Sequence, residues 1–260
     1  MKKLMLGLCM FFLVMIMTAC GTNKVASSGG PTLSAIKSKG EIQIAMEGAY
    51  PPYNYINKSN ELEGFDVDIA EEIAKRLGVK PVLLPIPWDS MIPELTGKKF
   101  DIIVSDMAIT DERKKKVDFS EPYFTTGNQL FLPLDSSIKD PADIKGKKIG
   151  VTISTTAADM VTELGADVKL YKNDFLAFED MINGRLDGIS TDQGVGAQII
   201  LERNYKVQAV GDLLNIEKAG ITIRKEDSEL REELNNIIAE MQADGTFETI
   251  SKKWFGKDIR

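Results

Sequence analysis

Along most of this 260-residue chain, short apolar runs take turns with stretches whose apolar residues recur about every 3.6 positions. Glu41–Met46 (EIQIAM) alternates and reads as a strand. Phe65, Ile69, Ile73 and Leu77 share one helical stripe, and Gly78 follows as a stop. Residues 79–84 read as a strand, 89–96 as a short helix closed by Gly97, and 101–104 (DIIV) as a buried strand. Residues 111–116 read as a charged helix capped by Thr110. The rhythm then repeats. Strands at 148–152, 168–171, 188–191 and 220–224 are interleaved with helices at 156–164, 175–183 and 192–203. A last stripe of Leu230, Leu234, Ile237, Ile238 and Met241 ends at Gly245. Such alternation predicts an α/β fold with parallel sheets.

An internal echo points to two similar halves. GKKFDIIVSD at 97–106 matches GRLDGISTD at 184–192: a glycine, a basic residue, then a short strand leading to an aspartate. Asp106 and Asp192 therefore stand just beyond the carboxyl ends of their strands, where open α/β sheets bind ligands.

The amino-terminal segment has a different pattern. Lys2 and Lys3 precede an unbroken apolar run of 14 residues, 4–17. A bilayer-spanning helix needs about 20, so 1–19 reads as a signal peptide. Met17-Thr18-Ala19-Cys20-Gly21 resembles the lipobox of bacterial lipoproteins, which makes Cys20 the lipid-bearing mature terminus. An ordinary secretory signal ending near a cysteine is the other reading. Residues 20–32, rich in Gly and Ser, read as a tether, with the rest outside the cytoplasm on a membrane anchor. Cleavage takes the net charge from −7 to −9, because Lys2 and Lys3 leave and no acid leaves with them.

Composition removes several function classes. The chain has no histidine, so histidine triads and histidine-containing metal sites are excluded. Its two cysteines are Cys9, inside the signal, and Cys20, so the mature chain has no disulfide. The acidic balance argues against nucleic-acid binding. No cofactor is expected.

Four stretches and a closing motif carry a family resemblance: EGAYPPY at 47–53, GFDVDIA at 64–70, ITDER at 109–113 with VDFS at 117–120, ADGTF at 243–247, and KWFG at 253–256. In this order and spacing the chain resembles the solute-binding proteins of amino-acid ABC importers, with the type II periplasmic-binding fold. The resemblance implies two lobes joined by two hinge strands, with a ligand cleft between them. It places lobe 1 at 33–124 plus 221–260 and lobe 2 at 125–220. It implies a monomer that delivers its ligand to a membrane permease and its ATPase, without catalysis.

The same resemblance assigns the ligand contacts. Arg113, which alone reads as part of a solvated DERKKK face, matches the arginine that forks onto the ligand α-carboxylate. Thr155 and Thr156 match residues that hold that carboxylate from lobe 2, and they equally suit a helix N-cap. Asp192 matches the acid that takes the α-ammonium, and it too suits an N-cap. Tyr50 and Trp88 match aromatics that flank the ligand side chain; unaided, they read as half-buried core. Glu47 matches a contact to polar ligand ends. The segment Ser105-Asp106-Met107-Ala108 departs from the family: Asp106 stands where Ser or Gly is usual, and Ala108 where Ser or Thr is usual. Ser154 stands where glycine is frequent.

Glu47 and Asp106 are acids left over once Arg113 and Asp192 have neutralised a zwitterion, so a cationic amino acid, arginine or lysine, is expected first. Cystine or glutamine is the alternative ligand. A cyclohexadienyl-type dehydratase or a ligand sensor on the same fold is the alternative of another class.

Overall fold

Burial of the EIQIAM alternation starts the first sheet: Ile42, Ile44, Ala45 and Met46 are fully buried, while Glu41 and Gln43 reach the edge. The computed structural model describes residues 32–260; the predicted signal, Cys20 and the tether to 31 lie outside the described residues. Thr32, expected in the tether, instead opens the helix Thr32–Lys39.

Two five-stranded sheets form the two lobes. The first runs in the order Lys80–Pro85, Glu41–Met46, Ile102–Ile103, Thr222–Ile223, Asp118–Phe119. The second runs Asp167–Tyr171, Lys148–Thr152, Gly188–Asp192, Asn128–Pro133, Val207–Val210. Three strands of each are parallel, as the alternation predicts. A fourth strand of each, Asp118–Phe119 and Val207–Val210, points the same way, and one strand of each is reversed. Thr222–Ile223 lies antiparallel to Ile102–Ile103 and Asp118–Phe119, and Asn128–Pro133 lies antiparallel to Gly188–Asp192 and Val207–Val210. Both enter their sheets directly from a two-stranded antiparallel link, Phe124–Thr126 with Glu217–Ala219, without a crossover helix to reverse them.

Helices cover the sheets with the stripes read from sequence. Phe65–Leu77 buries Phe65, Ile69, Ile73 and Leu77, each worth about 1.5–3 kcal/mol. Gly78 ends it in the left-handed conformation, with φ 73°, returning its N–H to the carbonyls of Ala74 and Lys75. Ser228–Ala243 buries Leu230, Leu234, Ile237, Ile238 and Met241.

A small antiparallel sheet of Ala49–Tyr50, Asn54–Ile56 and Leu62–Glu63 folds over the amino end of helix Phe65–Leu77. Its close approach depends on Gly64, whose φ is 139° and where an added Cβ would sit 2.2 Å from the Tyr53 carbonyl oxygen. Gly64→Ala is therefore expected to lower stability by about 2–4 kcal/mol, read by urea unfolding. A loss under about 0.5 kcal/mol, the range of ordinary surface substitutions, would contradict this packing.

Candidate functional site

The carboxyl ends of strands from both sheets face one another, and loops leaving those ends line a narrow cavity, with room for about 30 Å³. Its lining includes Glu47, Tyr50, Trp88, Asp106, Ala108 and Arg113 from the first lobe's side, and Thr155 and Thr156 from the second. Eight of the ten expected ligand residues are thus brought together.

Glu47 follows the last residue of strand Glu41–Met46. Its N–H donates to Ser105 Oγ at 3.1 Å, and Gly48 N–H donates to Asn54 Oδ1 at 2.9 Å. Buried Asn54 in turn donates to Asp66 Oδ2 at 2.8 Å. This network fixes the loop that carries Glu47 and Tyr50. It also explains where Ser105 goes: the residue is buried and serves as a brace for that loop, behind the cavity wall.

Arg113 sits in the short helix Asp111–Lys114, whose cap is Thr110, as expected; the Thr110 hydroxyl accepts from Arg113 N–H at 3.2 Å. The guanidinium turns away from the exposed lysines and into the cleft. It donates from Nη1 to the Ala108 carbonyl at 2.9 Å and from Nη2 across the cleft to the Ser154 carbonyl at 3.3 Å. It also lies 5.2 Å from the centre of the Trp88 ring. Burial draws its pKa downward, against the nearby acids led by Glu217. Two of its five N–H donors are used by these bonds, and three remain for an anion.

Trp88 differs from expectation. Its ring packs on Arg113 and its Nε1 donates to the Ser154 carbonyl at 3.2 Å, so it holds the arginine as well as facing the cavity. Ser154 adopts φ 62°, the left-handed region that glycine occupies freely, and its carbonyl receives both donors from the opposite lobe. Asp106 is left-handed too, with φ 43°. Two non-glycine residues in strained backbone thus border one cleft.

Thr155 caps helix Thr156–Glu163, accepting from Ala158 N–H at 3.3 Å and donating to the Thr152 carbonyl at 2.7 Å. Asp192 is not brought to the cavity lining. It is 2% exposed and caps helix Gln193–Arg203, with Oδ1 accepting from Gly194 and Val195 N–H. Its other oxygen accepts from the Thr126 hydroxyl. The helix start takes the carboxylate that was expected first to hold the ligand α-ammonium.

Three lining residues escaped the sequence reading: Asn128, Thr152 and Glu217. Glu217 Oε1 accepts from Asn215 Nδ2 at 2.8 Å and Asn128 Nδ2 at 3.2 Å, and Asn128 also donates to Thr156 Oγ1 at 3.1 Å. Glu217 begins one strand of the link between lobes and Asn128 follows the other, where no periodic pattern singles them out. Thr152 ends a strand the sequence did identify.

The cavity wall therefore carries three acids, Glu47, Asp106 and Glu217, and one cation, Arg113. Burial, then the Asp174 carboxylate, pushes the Glu47 carboxyl up to about 8. Burial pushes Asp106 well above the usual carboxylate range, with Asp192, Asp66 and Glu217 adding to it and Arg113 opposing. Asp192 is raised to about 6, mainly by burial. Among the described residues no cluster of acids, thiols or imidazoles is arranged to hold a metal ion, and no helix is long and apolar enough to cross a membrane.

Residues 42–257 match the family model of the bacterial extracellular solute-binding proteins, family 3. The L-cystine-binding protein TcyJ of Escherichia coli (strain K12) is 36% identical over 231 residues, covering 87% of each chain. The histidine-binding periplasmic protein of Salmonella typhimurium is 33% identical over 247 residues, covering 90% of this chain and 94% of its own. Among solved structures, an ancestral arginine-binding protein bound to arginine is 39% identical, with a TM-score of 0.79 over 84% of this chain and 99% of that one.

Proposed function

This chain belongs to the bacterial extracellular solute-binding proteins of family 3, and we propose that it binds a cationic amino acid, arginine or lysine, outside the cytoplasm. The observation that supports this reading is the imbalance of charge in the cavity: three acids to one arginine. A zwitterion adds one charge of each sign and leaves the surplus. A cationic side chain reduces it, and without such a cation the acids must hold protons to remain buried. Relatives named for cystine and histidine, and a solved arginine complex, fit an amino acid as the ligand class.

In this proposal Arg113 forks onto the α-carboxylate with its three free donors, aided by Thr155 and Thr156. Asp106, which lines the cavity with Asp192 close behind it, takes the α-ammonium. Glu47 meets the distal cation, with Tyr50 along its methylenes. Lobe 1, at 33–124 with 221–260, closes on lobe 2, at 125–220, and the bonds from Trp88 and Arg113 of lobe 1 to the Ser154 carbonyl of lobe 2 hold the closed form. Lipidation at Cys20 keeps the protein at the membrane, where the closed form presents its ligand to an ABC permease. The ligand leaves unchanged.

The test is thermal stabilisation by arginine, lysine, glutamine and cystine. A ligand at about 100 times its Kd adds about 2.7 kcal/mol, so arginine and lysine are expected to raise Tm by several degrees. Stabilisation by glutamine or cystine alone would overturn the cationic reading.

A further inference from the structure

Beyond its effect on Glu47, Asp174 has no part in the site as built so far, yet it is a carboxylate with 3% exposure directly behind one cavity wall. It opens helix Asp174–Ile182, and its two oxygens accept from two threonine hydroxyls. Thr152 Oγ1 donates to Oδ1 at 2.7 Å, and Thr191 Oγ1 donates to Oδ2 at 2.6 Å. Thr152 ends strand Lys148–Thr152 and lines the cavity; Thr191 lies in strand Gly188–Asp192, beside Asp192.

A hydroxyl has a single proton to give. Thr152 gives its proton backward, away from the cavity, because an ionised carboxylate can only accept. Any polar contact Thr152 makes with an occupant is then made through its lone pairs. The Asp174 charge is also felt across the cleft, where, after burial, it raises the Glu47 carboxyl. Burial raises the Asp174 carboxyl, and the hydroxyls of Thr191 and Thr152 and the helix start on which it sits oppose that and favour the ionised form.

We propose that Asp174 is a positioning residue that makes Thr152 an obligate acceptor, so that the second lobe selects a ligand whose distal group donates hydrogen bonds. This rests on the reading that the ligand side chain lies between Glu47 and the second lobe. It adds to that reading a selectivity element from the opposite side of the cleft. An incoming N–H finds acceptors on both walls, Glu47 on one and Thr152 on the other. A carbonyl or carboxylate side chain finds lone pairs facing its own.

The experiment compares binding of arginine and citrulline, its neutral ureido counterpart, by calorimetry on four proteins: wild type, Asp174→Ala, Thr152→Val and the double variant. Asp174→Asn, which keeps the buried space filled, is a further arm should the alanine variant fold poorly, and Thr152→Ser is the conservative control. Wild type is expected to prefer arginine. Asp174→Ala is expected to cut the arginine-to-citrulline ratio at least about tenfold, the scale of one charge-assisted hydrogen bond. In the Thr152→Val background the same change is expected to lose more than about half of that effect, because the residue it acts through is gone. Asp174→Asn should lower the ratio in the same direction, and Thr152→Ser should retain it.

A merely structural role for Asp174 would weaken both ligands alike and leave the ratio unchanged; that result, or full additivity with Thr152→Val, overturns the proposal. Should wild type bind glutamine or cystine and not arginine, the cationic reading fails by itself. The Asp174–Thr152 cycle is then measured on the ligand that binds, and its additivity or coupling still decides the inference.

Discussion

Arg113→Ala is expected to weaken amino-acid binding by about 2–5 kcal/mol, a rise in Kd of more than about 30-fold. Among the described residues the guanidinium is the only cation lining a cavity that also holds Glu47, Asp106 and Glu217. Without it, a ligand carboxylate enters among acids with no partner. The loss has a second source. Arg113 Nη2 and Trp88 Nε1 both reach the Ser154 carbonyl across the cleft, and the Trp88 ring rests on Arg113. Removing Arg113 takes away one of these bridges and the support of the other. Arg113→Lys is expected to fall well short of wild type, because an ammonium cannot present a planar fork to a carboxylate. Calorimetry with arginine reads the effect, and the melting temperature of the empty protein checks that each variant is folded. Affinity within about threefold of wild type in both variants would remove Arg113 from the site.

Arginine affinity is expected to rise with pH from about 6 to about 8, by up to tenfold per pH unit, and then to level off. The cause is Glu47, whose carboxyl burial and Asp174 push up to about 8 in the empty protein. A guanidinium placed against Glu47 favours its ionised form, so binding expels a proton wherever the empty protein still holds one. Asp106, also raised, adds to the same trend. The arginine guanidinium keeps its charge over this whole range, and its α-ammonium titrates only toward the alkaline end, so the rise below that end belongs to the protein. Stability of the empty protein moves the opposite way. The folded state binds the Glu47 proton more tightly than the unfolded chain, so this contribution is complete below the ordinary carboxylate pKa and is lost as pH rises through about 8. Calorimetry in buffers of different ionisation enthalpy measures the released proton directly. A flat affinity between pH 6 and 9 would show that no carboxyl in the cavity is coupled to the ligand. Glu47→Gln should abolish most of the slope.

Much of the order of elements was legible along the chain, although the helix Thr32–Lys39 and two strands of the second sheet, Asn128–Pro133 and Val207–Val210, were not read. Glu41–Met46, Phe65–Leu77 and Lys148–Thr152 stand where periodicity placed them, and most other boundaries shift by one or two residues. The small sheet of residues 49–63 was not legible, since its strands are two or three residues long and carry no repeat. Residues 89–96, read as one helix, are the end of a 3₁₀ turn at Trp88–Ser90 followed by the helix Met91–Thr96. The helix 246–255 was not singled out either, although Phe247 on it is buried and Trp254 and Phe255 pack on the same core.

By itself, the sequence determined the alternation of strands and helices, the family motifs, the absence of histidine chemistry, and a set of polar residues at strand ends. These are local properties, because a pattern of period 2 or 3.6 and a glycine stop act within one element. Only the tertiary structure decided which strands run antiparallel, since that depends on how the chain re-enters a sheet after the link between lobes. Only the tertiary structure distributed the acids. Asp192 was drawn into a helix cap and Ser105 into a loop brace, whereas Asp106, read as facing either way, and the unremarked Glu217 face the cavity. Asp174 reached its place behind Thr152 from 22 residues away. Where a carboxylate ends up depends on which donors packing brings within about 3 Å of it, and those donors come from segments far apart in the chain.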